Sequence, residues 1–489
     1  MKINTRAYLF LISIIIIFLV ISSYLYGYYK LGDDTYIYLQ YAKNLINHLE
    51  ISFNPGEKSY GFTSPLWLSL IIGMYSFFHK LNSIPEILSL VFSVSTLVVW
   101  FFIIKQRTSS NLILILSLMI IAFDPNLLKH SHLGMEAPLS YFLSSIIILL
   151  FLEYSRKPRP YVLGVVFGFY NLVRPESFIL AIIIIVALHK YSQISLNSII
   201  KIVVTAVIVV LPWYAFSIFY FKTLLPYTSL AKGLSFQIGR NFLMQFKSSL
   251  EIIAGNYFII LFFDSILISI LFFKIKIAKT NSYLLLTIII LFAYILLYSF
   301  IINNELVYAR YYAITFPFLM MTTVFLINNN IVNKKSILII LVIIITTFAG
   351  LSYFYSNINR SLFLSNENME NEIVEWVKKN TSVNSTIVRS RIGKIGYLTD
   401  RNICDPVGLI NPDIINYYMS GDVIKYYQKV RPDYFIGNFD ELIGQLPTTE
   451  AVKIEKVFIL RRPVLLRDYL LNNYGKYQIK IYKIIWHDD

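Results

Sequence analysis

Two adjacent carboxylates, Asp33 and Asp34, come directly after an apolar N-terminal block in a chain that is 56% hydrophobic. They open a polar and aromatic segment that Gly and Pro residues interrupt, LGDDTYIYLQYAKNLINHLEISFNPGEKSYGFTSPLW. Carboxylates beside a bilayer cost free energy unless they have a partner, water or a chemical task. A carboxylate at such a place can take the proton of an attacking hydroxyl. The pair is therefore the first candidate for catalysis, and the alternative is that it caps a helix beginning near Thr35.

Polar side chains from several other segments are predicted on the same side of the membrane as these aspartates. A cleft with carboxylates and cations suits a lipid-linked phosphate, because the cations neutralise the phosphate and a carboxylate accepts a proton. The candidates are Glu57, Tyr60 and Trp67 in the first loop, Glu136, Arg174 and Glu176 in an Arg-Pro-Glu turn, Lys222 and Lys232, and Glu305 and Arg310.

Several of these residues also have a purely structural explanation. Glu136 is placed to cap the next helix, and Arg174 could reach the membrane interface with its long side chain. Tyr60, Trp67 and Trp213 fit a belt of interface aromatics as well as they fit platforms for a sugar. The sequence leaves both explanations open.

Metal and disulfide chemistry find little support in the sequence. His130 and His132 stand two positions apart and cannot share one helical face, which favours hydrogen bonding over a joint metal site. The one cysteine, Cys404, excludes an internal disulfide framework and a cysteine-based metal site. The sequence assigns no metal ligands and no certain cofactor, and it leaves a divalent cation open.

The composition indicates a polytopic α-helical membrane protein. Of 489 residues only 15% are charged, against about a quarter in soluble proteins, and the mean hydropathy is +0.62. The net charge of +15 comes from basic residues in short loops between apolar blocks, as the positive-inside rule predicts. No aromatic and basic module typical of nucleic-acid binding is present, so the bilayer is the predicted partner.

The basic clusters also predict the topology. Lys2 and Arg6 place the N-terminus in the cytoplasm, the first apolar block is a retained anchor, and the aspartates emerge on the outer face of the plasma membrane. An amphipathic helix over Thr35–His48 and a short apolar helix over Pro65–Phe78 are expected to lie along the interface. About eleven spans are predicted: Tyr8–Tyr28, Glu86–Ile104, Leu112–Leu128, Ala137–Tyr154, Tyr161–Val173, Ser177–Leu188, Ile199–Phe219, Tyr257–Phe273, Tyr283–Ile302, Tyr311–Ile327 and Ile337–Tyr355.

The composition changes near Ser356, where charged residues become frequent. NEIVEWVKKN has the pattern of an amphipathic helix, and STIVR, YFIG and KVFIL have the pattern of short strands. We therefore expect a membrane module over residues 1–355, with the first outer loop at 29–64, and a small extracytoplasmic α/β domain over 356–489. Asp400 and Asp405 are expected to order turns of this domain, and an acceptor groove is the alternative.

Several segments, in colinear order over essentially the whole chain, resemble GT-C glycosyltransferases. The resemblance is greatest to the branch typified by terminal cell-wall arabinofuranosyltransferases. It is carried by DDTYIYLQYAKNL…NPGEKSYGFTSPLW, HLGMEAPL, NLVRPE, WYAFSIFYFKTLLPYTSLAK, YARYYAITFPFL and GKIGYLTDRNICDPVGLINPD. The resemblance implies the GT-C fold, a polyprenyl-phosphate sugar donor, an active site on the outer face and an aspartate of the first loop as catalytic base.

Carried over to this chain, the resemblance assigns the catalytic pair to Asp33 and Asp34. Contacts with the donor phosphate are expected from Arg174, Arg310, Lys232 and Glu136, and contacts with the acceptor or the loop from Tyr60, Trp67 and Glu57. The predicted function is transfer of a sugar to a cell-envelope glycan, glycolipid or protein. The alternatives are an oligosaccharide ligase or polymerase with a diphosphate-linked donor, and a transporter of lipid-linked glycans, although no internal repeat supports a transporter.

Overall fold

The structure, a computed structural model, describes residues 5–28, 31–231, 242–253, 278–301, 309–328, 334–437, 452–461 and 478–486. Two predictions lie outside these ranges: the span Tyr257–Phe273 and the phosphate contact of Lys232. Glu305 lies outside them as well.

The described part of the chain is mostly helical. Its helices are α1 (Thr5–Tyr26), α2 (Asp33–His48), α3 (Pro65–Phe78), α4 (Ile84–Lys105), α5 (Asn111–Ala122), α6 (Pro125–His130), α7 (Ala137–Glu153), α8 (Pro160–Val173), α9 (Ser177–Ser192), α10 (Leu196–Phe221), α11 (Tyr227–Ala231), α12 (described over 242–253), α13 (Ala278–Ile301), α14 (Phe316–Asn328), α15 (Lys334–Asn380), α16 (Ile392–Thr399), α17 (Asp413–Ser420) and α18 (Val423–Val430). Short 3₁₀ turns occupy Leu81–Ser83 and Ala309–Ile314.

Five of the described helices are long and apolar enough to cross a membrane. They contain Thr5–Tyr26, Leu81–Lys105, Leu196–Phe221, Tyr283–Ile301 and Leu338–Asn380, and five shorter apolar helices accompany them. This confirms a multi-pass membrane protein, while the predicted total of about eleven spans stays a prediction.

The predicted span Leu112–Leu128 is interrupted, which corrects the sequence analysis. The helix α5 ends at Ala122 and α6 starts anew at Pro125. Asp124 caps α6, because its Oδ1 accepts hydrogen bonds from the backbone N–H groups of Asn126, at 2.8 Å, and Leu127, at 3.1 Å. Pro125 at the first helical position has no N–H to satisfy, so the Asp-Pro pair starts a new helix inside an apolar run.

Two further boundaries differ from the prediction. The span predicted at Tyr311 starts only at Phe316, after the 3₁₀ turn. The boundary predicted between residues 355 and 356 falls inside α15, a continuous helix of 47 residues. This helix is about 70 Å long, whereas about 20 residues suffice to cross a membrane. It therefore leads directly from the helical bundle to the C-terminal region.

A hairpin of α8 and α9 carries the Arg-Pro-Glu turn and agrees closely with the predicted pair Tyr161–Val173 and Ser177–Leu188. Gly164 and Gly168, four positions apart, let α10 pack tightly on α8. A Cβ atom at Gly164 would lie 2.5 Å from the carbonyl oxygen of Ile202, and one at Gly168 would lie 2.6 Å from Val209. Small residues at this spacing are a common means of close helix packing in membranes.

The C-terminal region forms a five-stranded sheet with the order β2-β1-β3-β5-β4. Its strands are β1 (Thr386–Val388), β2 (Asn402–Cys404), β3 (Tyr434–Gly437), β4 (Val452–Arg461) and β5 (Gln478–Trp486). β1 pairs in parallel with β2 and β3, while β5 pairs antiparallel with β3 and β4. The three predicted strands fall on β1, β3 and β4, and α16 connects β1 to β2.

Candidate active site

Both aspartates lie in the first turn of α2, which begins two residues earlier than predicted. Gly32, with an extended backbone, is the N-cap, and no side chain caps this helix. The aspartates therefore do not cap their own helix, although their charges are favourable near its N-terminus. Consecutive helical residues point about 100° apart, and the two carboxylates accordingly have different partners.

The Asp33 carboxylate binds the N-terminus of α16 in the C-terminal region. Its two oxygens accept backbone N–H bonds from Gly393, at 3.2 Å, and Lys394, at 2.9 Å. Asp33 thus supplies to α16 the capping oxygen that an N-cap residue normally supplies to its own helix. Desolvation raises the pKa of Asp33, and the hydrogen bond from Lys394 opposes this effect. The side chain is held by a docking contact, which makes it a poor candidate for the base.

Asp34 instead faces a guanidinium group and keeps an open surface. Its Oδ2 lies 2.6 Å from Nη1 of Arg310, which follows the first residue of the 3₁₀ turn Ala309–Ile314. The Asp34 side chain is 45% exposed and the Arg310 side chain is 22% exposed. Charge-assisted hydrogen bonds of this kind are strong and directional. This carboxylate and this cation can both be reached by a ligand.

Arg174 links the hairpin turn to two other carboxylates. Its guanidinium group lies 3.0 Å from Oε1 of Glu136 and 3.7 Å from Oε1 of Glu176, and only 7% of its side chain is exposed. It also donates to the backbone carbonyl of Arg310, at 3.3 Å. Arg174 therefore connects three elements inside the protein. It does not extend to the membrane interface, which was the alternative explanation that the sequence allowed. Its charge is already balanced before any ligand binds.

Glu136 occupies the N-cap position of α7 but makes no capping hydrogen bond there. Its Oε1 pairs with Arg174, and its buried Oε2 has no hydrogen-bond partner among the described residues. A buried carboxylate oxygen without a partner costs free energy. The structure thus favours the charge-pairing explanation of Glu136 over the helix-capping one.

Tyr311 lies between the two arginines of this cluster. The guanidinium carbons of Arg174 and Arg310 lie 5.4 Å and 5.6 Å from the centre of its ring. The Tyr298 hydroxyl lies within hydrogen-bond distance of two acceptors, Oε1 of Glu176, at 3.0 Å, and the carbonyl of Tyr311, at 2.9 Å, and its single proton can be donated to either. These contacts fix the positions of both guanidinium groups against the helix bundle.

Lys129, at the end of α6, is a cation of this site that the sequence analysis did not select. Its side chain is exposed. Arg310 acts on it electrostatically, and no ion pair of Lys129 is found among the described residues. The neighbouring His130 is buried, with its Nδ1 unpartnered in the same part of the structure. In the sequence, the only sign that Lys129 belongs to a separate short helix near Arg310 is the helix start at Asp124-Pro125.

The histidines do not converge on a metal site. His132 contacts Glu86 through Nδ1, at 2.9 Å, and Ser22 through Nε2, at 3.3 Å. Over the described ranges, no three side chains of the ligand type come together in a way that could hold a metal ion.

The first-loop residues form a packed framework. Tyr60 is buried, and its hydroxyl accepts a hydrogen bond from Nε1 of Trp213, at 2.8 Å. Trp67 is fully buried and donates to the carbonyl of Gly134, at 3.3 Å. Both rings are buried, so neither belongs to an exposed aromatic belt, and their predicted contact with an acceptor stays a prediction. Glu57 accepts hydrogen bonds from the amide groups of Asn54 and Asn411.

The loop is also attached to the sheet of the C-terminal region. Asn54 donates to the carbonyl of Ile403 and accepts from its N–H, both at 2.9 Å, and so pairs with the edge strand β2 as another strand would. Gln40 and Asn44, on the polar side of α2, are buried and donate to the carbonyl of Phe53. Lys43 on the same side is partly buried and Asn47 is exposed. The polar side of this amphipathic helix is therefore covered by protein over part of its length.

Asp400 and Asp405, the aspartates of the C-terminal region that the sequence analysis considered, lie outside the charged cluster. Asp405 is buried and accepts backbone N–H bonds from Val407 and Ile410, at 2.8 Å and 3.1 Å, and from Leu409. It therefore orders the turn that follows β2, and desolvation raises its pKa to about 6. Asp400, at the end of α16, pairs with Lys43 of α2.

Comparison with known proteins identifies the fold. Residues 357–482 match a family model described as a domain of unknown function, DUF8728, and no curated protein sequence matches the chain. The crystal structure of ArnT from Cupriavidus metallidurans bound to undecaprenyl phosphate has a TM-score of 0.62 and 11% identity, covering 98% of each chain. The apo structure of the same protein gives 0.62 and 10% over the same shares. The chain has the ArnT fold.

ArnT is a GT-C glycosyltransferase, so the GT-C fold that the sequence motifs implied is confirmed. Identity of this order shows the fold alone. The arabinofuranosyltransferase-like branch and the roles of the individual residues stay predictions. Within the ArnT fold, the structure brings together Asp34, Arg310, Arg174 and Glu136 among the predicted site residues, adds Lys129, and assigns Asp33, Tyr60, Trp67 and Glu57 to the contacts around them.

Proposed function

We propose that the protein is a membrane glycosyltransferase that moves a sugar from a polyprenyl-phosphate donor to an acceptor on the outer face of the plasma membrane. The observation that carries the proposal is the Asp34–Arg310 pair, which is open to a ligand and has a second cation, Lys129, near enough for Arg310 to act on its charge. A carboxylate and two accessible cations match the two needs of such a reaction, a base for the hydroxyl and positive charge for the phosphate.

In the proposed mechanism, Asp34 accepts the proton of the acceptor hydroxyl. The hydroxyl oxygen forms a bond to the anomeric carbon as the bond from that carbon to the phosphate oxygen breaks. The electron pair of the broken bond leaves with the polyprenyl phosphate, whose charge Arg310 and Lys129 neutralise. Arg174 positions Arg310 by donating a hydrogen bond to the backbone carbonyl of that residue. The charge of Arg174 itself is neutralised by Glu136 and Glu176.

The fold agrees with this donor class, because the matched ArnT structure is bound to undecaprenyl phosphate. In this proposal the N-terminus is cytoplasmic and the C-terminal region covers the site from outside. The acceptor is a glycan, a glycolipid or a protein of the cell envelope. Glu57 accepts hydrogen bonds from Asn54 of the first loop and from Asn411 of the C-terminal region. In this proposal, its predicted contact with the acceptor would be made at that junction.

Binding of the lipid carrier tests the proposal without knowledge of the sugar. We expect purified protein to bind undecaprenyl phosphate in native mass spectrometry, and Lys129→Gln and Arg310→Gln to weaken binding about tenfold each, since a hydrogen bond to a charged group contributes roughly 1.5–3 kcal/mol. Lys429→Gln, on the exposed face of α18, is the matched control. Tighter binding of undecaprenyl diphosphate than of the monophosphate would contradict the proposal and favour a ligase or polymerase.

The two aspartates provide a test of the chemistry. Using a panel of undecaprenyl-phosphate pentoses and hexoses with membrane lipids as acceptors, we expect Asp34→Asn to lower transfer by about 10²–10⁴-fold, the usual contribution of a general base. Asp33→Asn is expected to have a much smaller effect on transfer, because Asp33 acts through the docking of α16. Full activity of Asp34→Asn, together with an inactive Asp33→Asn, would show that the roles are reversed.

A further inference from the structure

A second polar cavity lies at the opposite end of α2 from the aspartates. It has a volume of about 470 Å³, and its walls include Lys43, Tyr75, His79, Lys80, Asn82 and Tyr397. Lys43 follows Asp34 by nine residues, which is about 14 Å along the helix. The cavity shares no residue with the candidate active site and is a separate feature of the molecule.

The charges that line this cavity are predominantly positive. Lys80 is exposed and forms no ion pair within the described ranges, and His79 beside it is exposed as well. Lys43 is paired with Asp400 and lies 5.2 Å from the centre of the Tyr397 ring. The two ammonium groups of Lys43 and Lys80 outnumber the one carboxylate, that of Asp400. The local net charge is therefore positive, which favours binding of an anion.

The cavity is flanked by an exposed aromatic pair. The short apolar helix α3 ends in Phe77 and Phe78, which are 79% and 48% exposed, and His79 then turns the chain with a left-handed backbone. Large aromatic side chains of membrane proteins concentrate at the boundary between the hydrocarbon and the headgroups. Basic residues beside such a boundary attract anionic lipids. The order Phe-Phe-His-Lys therefore places the opening of the cavity at the level of the headgroups.

The walls of the cavity come from both parts of the protein. The Tyr397 hydroxyl of α16 donates a hydrogen bond to Oδ1 of Asn82, and Lys43 donates to the carbonyl of Tyr397, at 3.2 Å. These contacts join α16 to α2 and to the 3₁₀ turn before α4. The same helix α16 holds Asp33 at its other end. A ligand in the cavity would therefore touch the junction that also positions the active-site loop.

We propose that this cavity binds the phosphate of an anionic phospholipid headgroup from the leaflet on the side of the C-terminal region. Lys80 and His79 contact the phosphate, Asn82 and the Tyr75 hydroxyl bind the polar part of the headgroup, and Phe77 and Phe78 lie among the acyl chains. The site is distinct from the donor site, and its existence does not depend on the proposed transferase activity.

Native mass spectrometry of the full-length protein, titrated with phosphatidylglycerol, tests the proposal. We expect saturable binding of phosphatidylglycerol and weak binding of phosphatidylcholine. Lys80→Gln is expected to weaken phosphatidylglycerol binding about fivefold, because each basic residue near an anionic surface contributes about 1 kcal/mol. Lys429→Gln, which removes an exposed charge on α18, controls for loss of net charge and should leave the affinity unchanged.

Two outcomes would overturn the proposal. One is equal loss of phosphatidylglycerol binding in the Lys80→Gln and Lys429→Gln proteins, which would indicate general electrostatic attraction. The other is competition by millimolar inorganic phosphate that abolishes a Lys80-dependent signal, which would assign the cavity to a free anion. Undecaprenyl phosphate binding, measured on the same Lys80→Gln sample, should match the wild type, so that failure here is distinguishable from failure of the proposed function.

Discussion

Gly393 is the position at which the contact between Asp33 and α16 can be broken most cleanly. A Cβ atom at Gly393 would lie 1.9 Å from the backbone carbonyl oxygen of Asp33 and 3.1 Å from the backbone nitrogen of Ile37. Both obstacles are backbone atoms of α2, which cannot rotate out of the way as the end of a flexible side chain could. A methyl group at this position must therefore separate α16 from α2.

The expected size of the effect follows from two opposing contributions. Alanine in a helix is more favourable than glycine by about 1 kcal/mol. Loss of the Asp33 cap opposes this gain by about 0.5–2 kcal/mol, and loss of the packing between α2 and α16 adds to the penalty, at about 25 cal/mol per Å² of apolar surface. If the cap loss is about 1.5 kcal/mol and the packing loss is also about 1.5 kcal/mol, which corresponds to roughly 60 Å² of apolar surface, the gain of about 1 kcal/mol leaves a net weakening of about 2 kcal/mol for Gly393→Ala, or about thirtyfold in the docking equilibrium.

Hydrogen–deuterium exchange of the purified protein in lipid nanodiscs measures this equilibrium. In Gly393→Ala, peptides that cover residues 31–37 and 392–399 should exchange about thirtyfold faster. The matched control is Gly350→Ala in α15, where an added Cβ atom meets nothing within 4 Å. Wild-type exchange in Gly393→Ala, or equal acceleration in both variants, would refute the reasoning that this contact holds the two parts together.

Two further predictions concern the C-terminal region. The pKa of Asp405 is raised from 3.8 to about 6, so the folded state holds a proton that the unfolded chain has released; stability should therefore fall by about 2 kcal/mol as the pH rises from 4 to 6. Chemical denaturation at both pH values should show this slope in the wild type and not in Asp405→Asn, and an identical slope in both would contradict it. Asn54→Ala should expose the N–H of Ile403 and speed its hydrogen exchange about tenfold or more, since two hydrogen bonds of about 1 kcal/mol each are lost. The control Asn384→Ala, on an exposed turn, should leave the exchange rate of Ile403 unchanged.

The membrane helices could largely be predicted from the sequence because their signal is local. A run of apolar residues of sufficient length has few alternatives to a helix in lipid. The Arg-Pro-Glu turn was located correctly for a similar reason, since Pro175 breaks the apolar pattern between α8 and α9. The errors arose where one or two residues divide an apolar run, as at Asp124, or where a helix continues through a change of composition, as α15 does.

The site was predicted less completely because its members are joined by distant contacts. The order of the motifs selected Asp34, Arg310, Arg174 and Glu136. It could not show that the charge of Arg174 is already neutralised by buried carboxylates, whereas Arg310 remains accessible to a ligand. Lys129 was missed because a single lysine at the end of an apolar helix looks like an ordinary interface residue. Its position within electrostatic range of Arg310 follows from the interruption of the helix at Asp124.

The sequence by itself determined that this chain is a helical membrane protein and that a pair of aspartates follows its first helix, because hydropathy and residue order are properties of the chain alone. Only the tertiary structure decided that the neighbours Asp33 and Asp34 have different partners. Adjacent residues on a helix point in directions about 100° apart, and what each one meets is set by elements more than 250 residues away, α16 for Asp33 and Arg310 for Asp34.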